Sequence, residues 1–284
     1  LKGGADNNAI YGGRGDDVYK FDWDNASDNT LFEASDTSEG GLVRSDGADT
    51  LDFSDAGTSG IFAFDLGFFT DTSKWKTLLG NTTVRLRNTV TTADKQGLGF
   101  ENLIGRAAAS SLTGNEANNV IIGGIGSDTL KGGSGRDILI GAGGTDALLG
   151  ETGDDILIGG SVNFGTNVDR LAALNTILRA WLEPLSFASR QTAIRAGVGN
   201  PALNARLVTS GVGQTVFDDG VTDTHNDSTA TDWVIEPPLG APLATPLVSS
   251  MPQRVPPSSS ITVPQVPGYP APPTIPSPKL TTNP

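Results

Sequence analysis

The stretch that decides the fold runs from residue 105 to residue 160 and reads GRAAASSLT, GNEANNVII, GGIGSDTLK, GGSGRDILI, GAGGTDALL, GETGDDILI, GG. Glycines open the units at 105, 114, 123, 132, 141, 150 and 159, a spacing of nine without a slip. The first six residues of a unit, at best GGxGxD, are small and end in a carboxylate. The last three place one large aliphatic between two neighbours: Leu112, Ile121, Leu130, Leu139, Leu148 and Leu157. In a three-residue strand the middle side chain points to one face, here inward. Turn, strand, turn, strand then closes one coil of a parallel solenoid every eighteen residues. Successive turns fall on opposite edges, and alternate turns stack on the same edge. Such units bury their apolar residues only by stacking on neighbours.

This pattern resembles the hemolysin-type nonapeptide repeat GGxGxDxUx of the RTX family. The resemblance implies a mainly β fold, a parallel β-roll or β-solenoid. It also implies Ca²⁺ held between stacked turns by backbone carbonyls and the position-six aspartate. Carried onto this chain, the side-chain ligands are Asp128, Asp137, Asp146 and Asp155, with Asp17 in the N-terminal repeat GGRGDDVYK. Turn backbone would contribute at Gly123, Gly124 and Gly126, and at Gly132, Gly133 and Gly135. It would contribute likewise at Gly141, Gly144, Gly150 and Gly153. Asp128 and Asp146 are expected along one edge, Asp137 and Asp155 along the other. Ser110 and Asn119 replace the carboxylate in the two earlier units, which makes Asn119 a weaker candidate. Ala142 and Glu151 replace the second glycine, and looser turns are expected there.

A metal suits the energetics. Each inward aliphatic contributes about 1.5–3 kcal/mol, whereas ordering the backbone costs about 1–2 kcal/mol for every residue. Hydrogen bonds bring the sum toward balance, and stacked carboxylates then repel one another. Hard oxygen ligands suit Ca²⁺, which extracellular modules bind at about 10⁻⁴–10⁻³ M. The expectation is a fold that forms outside the cell and not at cytosolic calcium.

Composition narrows the class. The 284 residues carry a net charge of −13 and no cysteine. Residues 1–160 hold 24 acids against 12 bases, and the last 48 residues hold two bases and no acid. An acidic repeat region favours cations and argues against nucleic acid. The lack of cysteine removes disulfides and thiol chemistry. No apolar run reaches the length of a membrane span, so no membrane insertion is expected. Leu1 and Lys2 fit the last two positions of a nonapeptide, so the chain reads as part of a longer protein.

Five regions follow. Residues 1–20 are repeats with a truncated start. There Arg14-Gly15-Asp16 spells an adhesion tripeptide, although the repeat itself supplies the glycine. Residues 21–104 are expected to form wider solenoid coils. Their core candidates are Phe53, Phe62, Phe64, Leu66, Val84, Leu86, Leu103 and Ile104, with Trp75 as a lid. Asp22, Asp24, Asp28 and Glu33 have part of an EF-hand spacing but lack its glycine and helices. Residues 105–160 are the roll.

Residues 161–236 change period. Val168, Leu171, Leu174, Ile177, Leu178, Trp181 and Leu182 recur at helical spacing, with Thr166 and Asp169 as a capping box and Pro184 as the stop. A second helix is expected over 186–196, ended by Gly197. The pair is expected to fold over the open end of the solenoid, where strand edges need cover. Residues 207–236 then resemble the terminal rung of large secreted bacterial RTX proteins through Asp218, Asp219, Asp223 and Asp232. Phe217, Trp233 and Ile235 would hold its shape. Asp227, Ser228 and Ala230 replace its glycines, which puts Asp232 in question as a ligand. His225, the one histidine, takes the inward position. Residues 237–284 carry 15 of the 17 prolines and are expected to be a disordered tail.

No catalytic signature is present: HExxH, GxSxG and a phosphate loop are all missing, and one histidine offers little to a triad. The expected role is a non-enzymatic, extracellular calcium-binding module of a large surface or adhesin-like protein, with its surface ligand undefined. The alternative is a secretion and folding appendage of a longer protease, lipase or hemolysin. Type I secretion is the route that the resemblance implies.

Overall fold

A computed structural model of the chain describes residues 8–12, 15–21, 28–33, 48–55, 62–68, 76–77, 83–88, 99–166, 168–226 and 231–236. Trp75, the side chain of Val84 and the proline-rich tail lie outside the described residues.

The first strands are β1 (Asn8–Tyr11), β2 (Val18–Lys20), β3 (Asp28–Glu33), β4 (Thr50–Asp52), β5 (Phe62–Asp65), β6 (Lys76–Thr77) and β7 (Thr83–Asn88). The nonapeptide region supplies β8 (Asn102–Ile104), β9 (Ser110–Thr113), β10 (Val120–Gly124), β11 (Thr129–Ser134), β12 (Ile138–Ala142), β13 (Ala147–Thr152) and β14 (Ile156–Ile158). Beyond it come β15 (Ser161–Val162), helices α1 (Arg170–Leu182) and α2 (Phe187–Ala196), β16 (Val216–Phe217), β17 (Thr224–Asn226) and β18 (Trp233–Ile235).

Two parallel sheets carry the architecture. One has the order β18-β14-β12-β10-β8-β4-β2, the other β17-β13-β11-β9-β5. From β8 onward the chain alternates between them, and each return advances one coil. Ile121 pairs in register with Leu139, and Leu139 with Leu157. Leu112, Leu130 and Leu148 form the matching ladder opposite. All six are fully buried, as the inward middle position requires. Toward the N-terminus a third sheet, β1-β3-β7-β6, joins the coil. Its Leu31 and Leu86 enter the same core. The wider interior is filled by aromatic rings, with Phe53 at 4.8 Å from Phe62 and 4.9 Å from Phe64. Of the proposed core residues here, Phe53, Phe62, Phe64, Leu66, Leu86, Leu103 and Ile104 are buried. The polar loop that residues 22–33 suggest is corrected over Asp28–Glu33, which form a strand paired with β1 and β7, while Asp22 and Asp24 lie outside the described residues.

A second core lies on the outer face of the seven-stranded sheet. Val120, Ile122, Ile138, Ile140, Ile156 and Ile158 flank the inward residues, so their side chains point the other way. They are buried against Leu174, Ile177, Leu178 and Trp181 of α1. The helical pair therefore covers the flank of the solenoid and not its end, which corrects the expectation. Val234, in the inward register beside Leu157 on the last described strand, is 42% exposed. The capping box is also corrected. Asp169 caps α1 by accepting the Ala172 N–H at 3.1 Å, which leaves Val168 and Thr166 before the helix. α2 starts after Ser186 and stops at Gly197, whose φ of +107° suits glycine.

The helices form an excursion with a closed neck. β15 and β16 pair antiparallel, Ser161 with Phe217 and Val162 with Val216. Phe217 thus belongs to the neck and not to the terminal rung. β17 and β18 resume the two main sheets beside β13 and β14.

Leu139→Ala should destabilise the folded protein by about 2–5 kcal/mol, the usual cost of a cavity at a closed site. Val234→Ala should cost under about 0.5 kcal/mol, as an exposed position does. Urea denaturation in one buffer compares the two.

Candidate metal centre

The carboxylate at position six of each unit immediately precedes a strand, so the stacking of strands stacks the carboxylates. Along one edge the Ser110 N–H donates to Asp128 Oδ1 at 2.6 Å, the Asp128 N–H to Asp146 Oδ1 at 2.7 Å, and the Asp146 N–H to Asp223 Oδ1 at 2.8 Å. Along the other the Asn119 N–H donates to Asp137 Oδ1 at 2.7 Å, the Asp137 N–H to Asp155 Oδ1 at 2.7 Å, and the Asp155 N–H to Asp232 Oδ1 at 3.0 Å. Each carboxylate spends one oxygen on the amide of the previous coil. The four central aspartates are at most 2% exposed.

The second oxygen faces the turn of the same unit. Asp128 Oδ2 accepts the Gly124 N–H at 2.6 Å. The Oδ2 atoms of Asp137 and Asp146 are buried and have no hydrogen-bond partner. Each lies beside the first glycine of its own repeat, Gly132 and Gly141, as Asp128 lies beside Gly123 and Asp155 beside Gly150. At Gly132 a Cβ would stand 2.7 Å from the Gly150 carbonyl oxygen and would also strike Asp137 Oδ2. At Gly123 a Cβ would stand 2.6 Å from the Gly141 carbonyl oxygen. A bare Cα at this position lets a carboxylate oxygen and a carbonyl of the next coil approach the same space. The other turn glycines, Gly124, Gly126, Gly133, Gly135, Gly144 and Gly153, press on backbone of the preceding coil. Ala142 and Glu151 keep register with Gly124 and Gly133, at φ of +79° and +70°. The turns hold despite the missing glycines, at the cost of backbone strain.

Among the described residues no three acidic or histidine side chains meet to hold a metal by themselves. A cation at these turns would draw on one or two carboxylates and otherwise on carbonyls. That all-oxygen donor set, with unpartnered buried Oδ2 atoms inside it, fits Ca²⁺.

The columns run further than the nonapeptides. The Asp17 N–H donates to Asp49 Oδ1 at 2.9 Å, and the Asp49 N–H to Glu101 Oε2 at 2.9 Å. Asn119 stands next in line, but its side chain is engaged locally, with Oδ1 on the Asn115 N–H and Nδ2 on the Glu101 carbonyl. Asp49 and Glu101 lie outside the nonapeptide pattern, and Asp223, which fits the terminal-rung pattern, also joins a column. Their signal is an acid directly before a three-residue strand, as in Asp49-Thr50-Leu51-Asp52, Glu101-Asn102-Leu103-Ile104 and Asp223-Thr224-His225-Asn226. His225 holds the inward position beside Leu148, with Nδ1 3.4 Å from Glu236 Oε1.

Electrostatics work against the carboxylates. Burial raises Asp128 to about 6, with turn amides and the Arg106 charge opposing the rise. Burial, with the charges of Asp128, Asp223 and Asp219, raises Asp146 to about 8. Asp137 is raised well above the carboxylate range by burial and by Asp155.

The description "RTX calcium-binding nonapeptide repeat" matches this chain four times, over residues 1–27, 97–130, 113–148 and 131–163. These spans contain the two columns from Asn119 to Asp155. No curated protein matches the chain.

Two outcomes are expected. A folded-state pKa above the unfolded value gives stability that is present below the unfolded carboxylate pKa and is lost as pH rises through the folded one. With calcium held at the level that just keeps the roll folded, stability should therefore fall between about pH 5 and about pH 8.5, with the losses of Asp128 near 6 and Asp146 near 8. Excess calcium should abolish this decline, as urea midpoints across pH would show. Ala142→Gly should stabilise the loaded protein by about 1 kcal/mol by relieving the positive φ, read in the same assay.

Proposed function

Because this chain carries RTX calcium-binding nonapeptide repeats, and such repeats bind Ca²⁺, we propose that it is an extracellular structural module whose folding calcium drives after export. One observation carries this reading. The buried Oδ2 atoms of Asp137 and Asp146, without hydrogen-bond partners, face turn glycines at which the next coil's carbonyls converge. Without a cation the fold concentrates negative charge along its edges. With one, the same atoms become ligands.

The linkage supplies direction. A site with a Kd of about 10⁻⁴–10⁻³ M is empty at cytosolic calcium and fills at the millimolar levels outside the cell. Each site at tenfold excess over its Kd adds about 1.4 kcal/mol to the folded state and nothing to the unfolded chain. Several sites in two columns add up to a folded state that forms where calcium is abundant. A chain unfolded inside the cell suits export by type I secretion, and a roll stiffened by calcium suits a large surface or adhesin-like protein. None of the helices among the described residues is long and apolar enough to cross a membrane.

Far-UV circular dichroism of the full chain in chelator, then through a calcium titration to millimolar, tests the reading. A cooperative gain of β signal is expected. A variant combining Asp128→Ala, Asp137→Ala, Asp146→Ala and Asp155→Ala should lose the transition. Identical spectra in chelator and calcium would mean a solenoid that folds without metal, and would refute the proposal.

A further inference from the structure

The step between stacked carboxylates is 18 residues inside the roll, and it jumps to 77 at the last coil in both columns, from Asp146 to Asp223 and from Asp155 to Asp232. The jump is the same on both edges, so one insertion of 59 residues, 77 less 18, accounts for both. It enters after Gly159 and is complete before Asp223. Gly159 opens a nonapeptide that the chain leaves unfinished, and Asp223 supplies its position-six carboxylate. Asp223 Oδ2 lies against Gly159 just as Asp146 Oδ2 lies against Gly141. The helical excursion is thus spliced into a single turn.

Resting on the calcium reading above, we propose that this split turn is itself a calcium site, made by Asp146, Asp223 and the carbonyl of Gly159, and that filling it closes the neck and docks the helical excursion. Asp146 Oδ2 is the observation that points to a ligand. It is buried without a hydrogen-bond partner, in a residue 1% exposed. It faces Gly141, where a Cβ would also stand 2.5 Å from the Gly159 carbonyl oxygen. Asp223 reaches the same coil through the Asp146 N–H at 2.8 Å. Asp219 adds a further negative charge and holds the turn by accepting the Gly144 N–H at 2.8 Å. The donors come from both sides of the insertion. A cation here joins its two ends, which no site between contiguous repeats can do.

What the closed neck holds is specific. Gly160 packs on the Phe217 carbonyl, and β15 and β16 pair directly beyond it. Fixing that base sets where α1 leaves the roll, and α1 covers the outer apolar face of the seven-stranded sheet. Calcium at the neck thereby controls cover on a face that lies away from the metal edge.

The test uses the full chain, Asp223→Asn and Gly159→Ala, with calcium stoichiometry from equilibrium dialysis and trypsin protection of the Arg179–Arg206 bonds across a calcium titration. The wild type is expected to gain protection with calcium. Both variants should bind one fewer calcium and need at least about tenfold more for protection, which is about 1.4 kcal/mol of lost coupling. Asp137→Asn, on the opposite edge, should also lose one calcium, but its protection midpoint should move by less than half as much on a logarithmic scale. If Asp223→Asn and Gly159→Ala keep wild-type stoichiometry and midpoint, the neck site is refuted while the roll's calcium binding stands. If protection moves equally in Asp137→Asn, the site does not control docking, and that part is refuted. If the wild type binds no calcium, the broader reading fails first.

Discussion

The hydrogen bond from the N–H of one position-six residue to the carboxylate of the residue one coil on is the contact on which the rest depends. It fixes vertical register, because a slip of one residue would place an aliphatic where the amide needs an acceptor. It also divides the labour of each carboxylate. Oδ1 binds the chain and Oδ2 is left for the turn. The same bond occurs with Ser110 and Asn119 as donors, so the upper coils keep the spacing although their own acids are gone. Register is therefore a property of the backbone amide, and charge is added only where an aspartate supplies it. The strain is correspondingly local: raised carboxylate pKa values appear at Asp128, Asp137, Asp146 and Asp223, all within the columns.

The two sheets have different fates. The five-stranded sheet shows polar or small outer residues such as Ser111, Thr113, Thr129 and Lys131. The seven-stranded sheet shows Val120, Ile122, Ile138, Ile140, Ile156 and Ile158, which need a cover. The excursion supplies it and is pinned to the metal edge by a clamp. Arg190, 2% exposed, stacks on Trp181 at 4.3 Å and pairs with Asp154, while the Trp181 indole donates to the Asp154 carbonyl. Asp154 is the neighbour of Asp155 in its turn, so the helical pair grips the roll beside a column carboxylate. A guanidinium desolvated against an aromatic face and a carboxylate is held far more firmly than a surface ion pair.

Much of this was legible in the sequence. The period of nine gave the coil, the inward ladder and the pairing of Asp128 with Asp146 and Asp137 with Asp155, because a repeat without slips leaves one way to stack. The outer face is written there too, since VII, ILI and ILI alternate with SLT, TLK and ALL, but the repeat pattern specifies only the middle residue. Open strand edges predict a helical pair over the end, whereas the apolar residues the helices cover lie on the flank. Asp49 and Glu101 sit in coils without the glycine pattern, and only strand pairing aligns them with Asp17. Asp223 is separated from Gly159 by the insertion, and no local window joins them.

The paired neck of β15 and β16 has a meaning for how such a chain can change over time. The segment leaves and re-enters at one turn with its ends side by side, so the strands before and after it stack as if nothing intervened. A solenoid with this property can accept a foreign unit at a turn without renumbering its coils. The demand on the guest is limited to closing its own ends and presenting an apolar stripe to Ile138 and Ile156. The roll thereby behaves as a scaffold with a socket, and the helices are one plug among those it could carry.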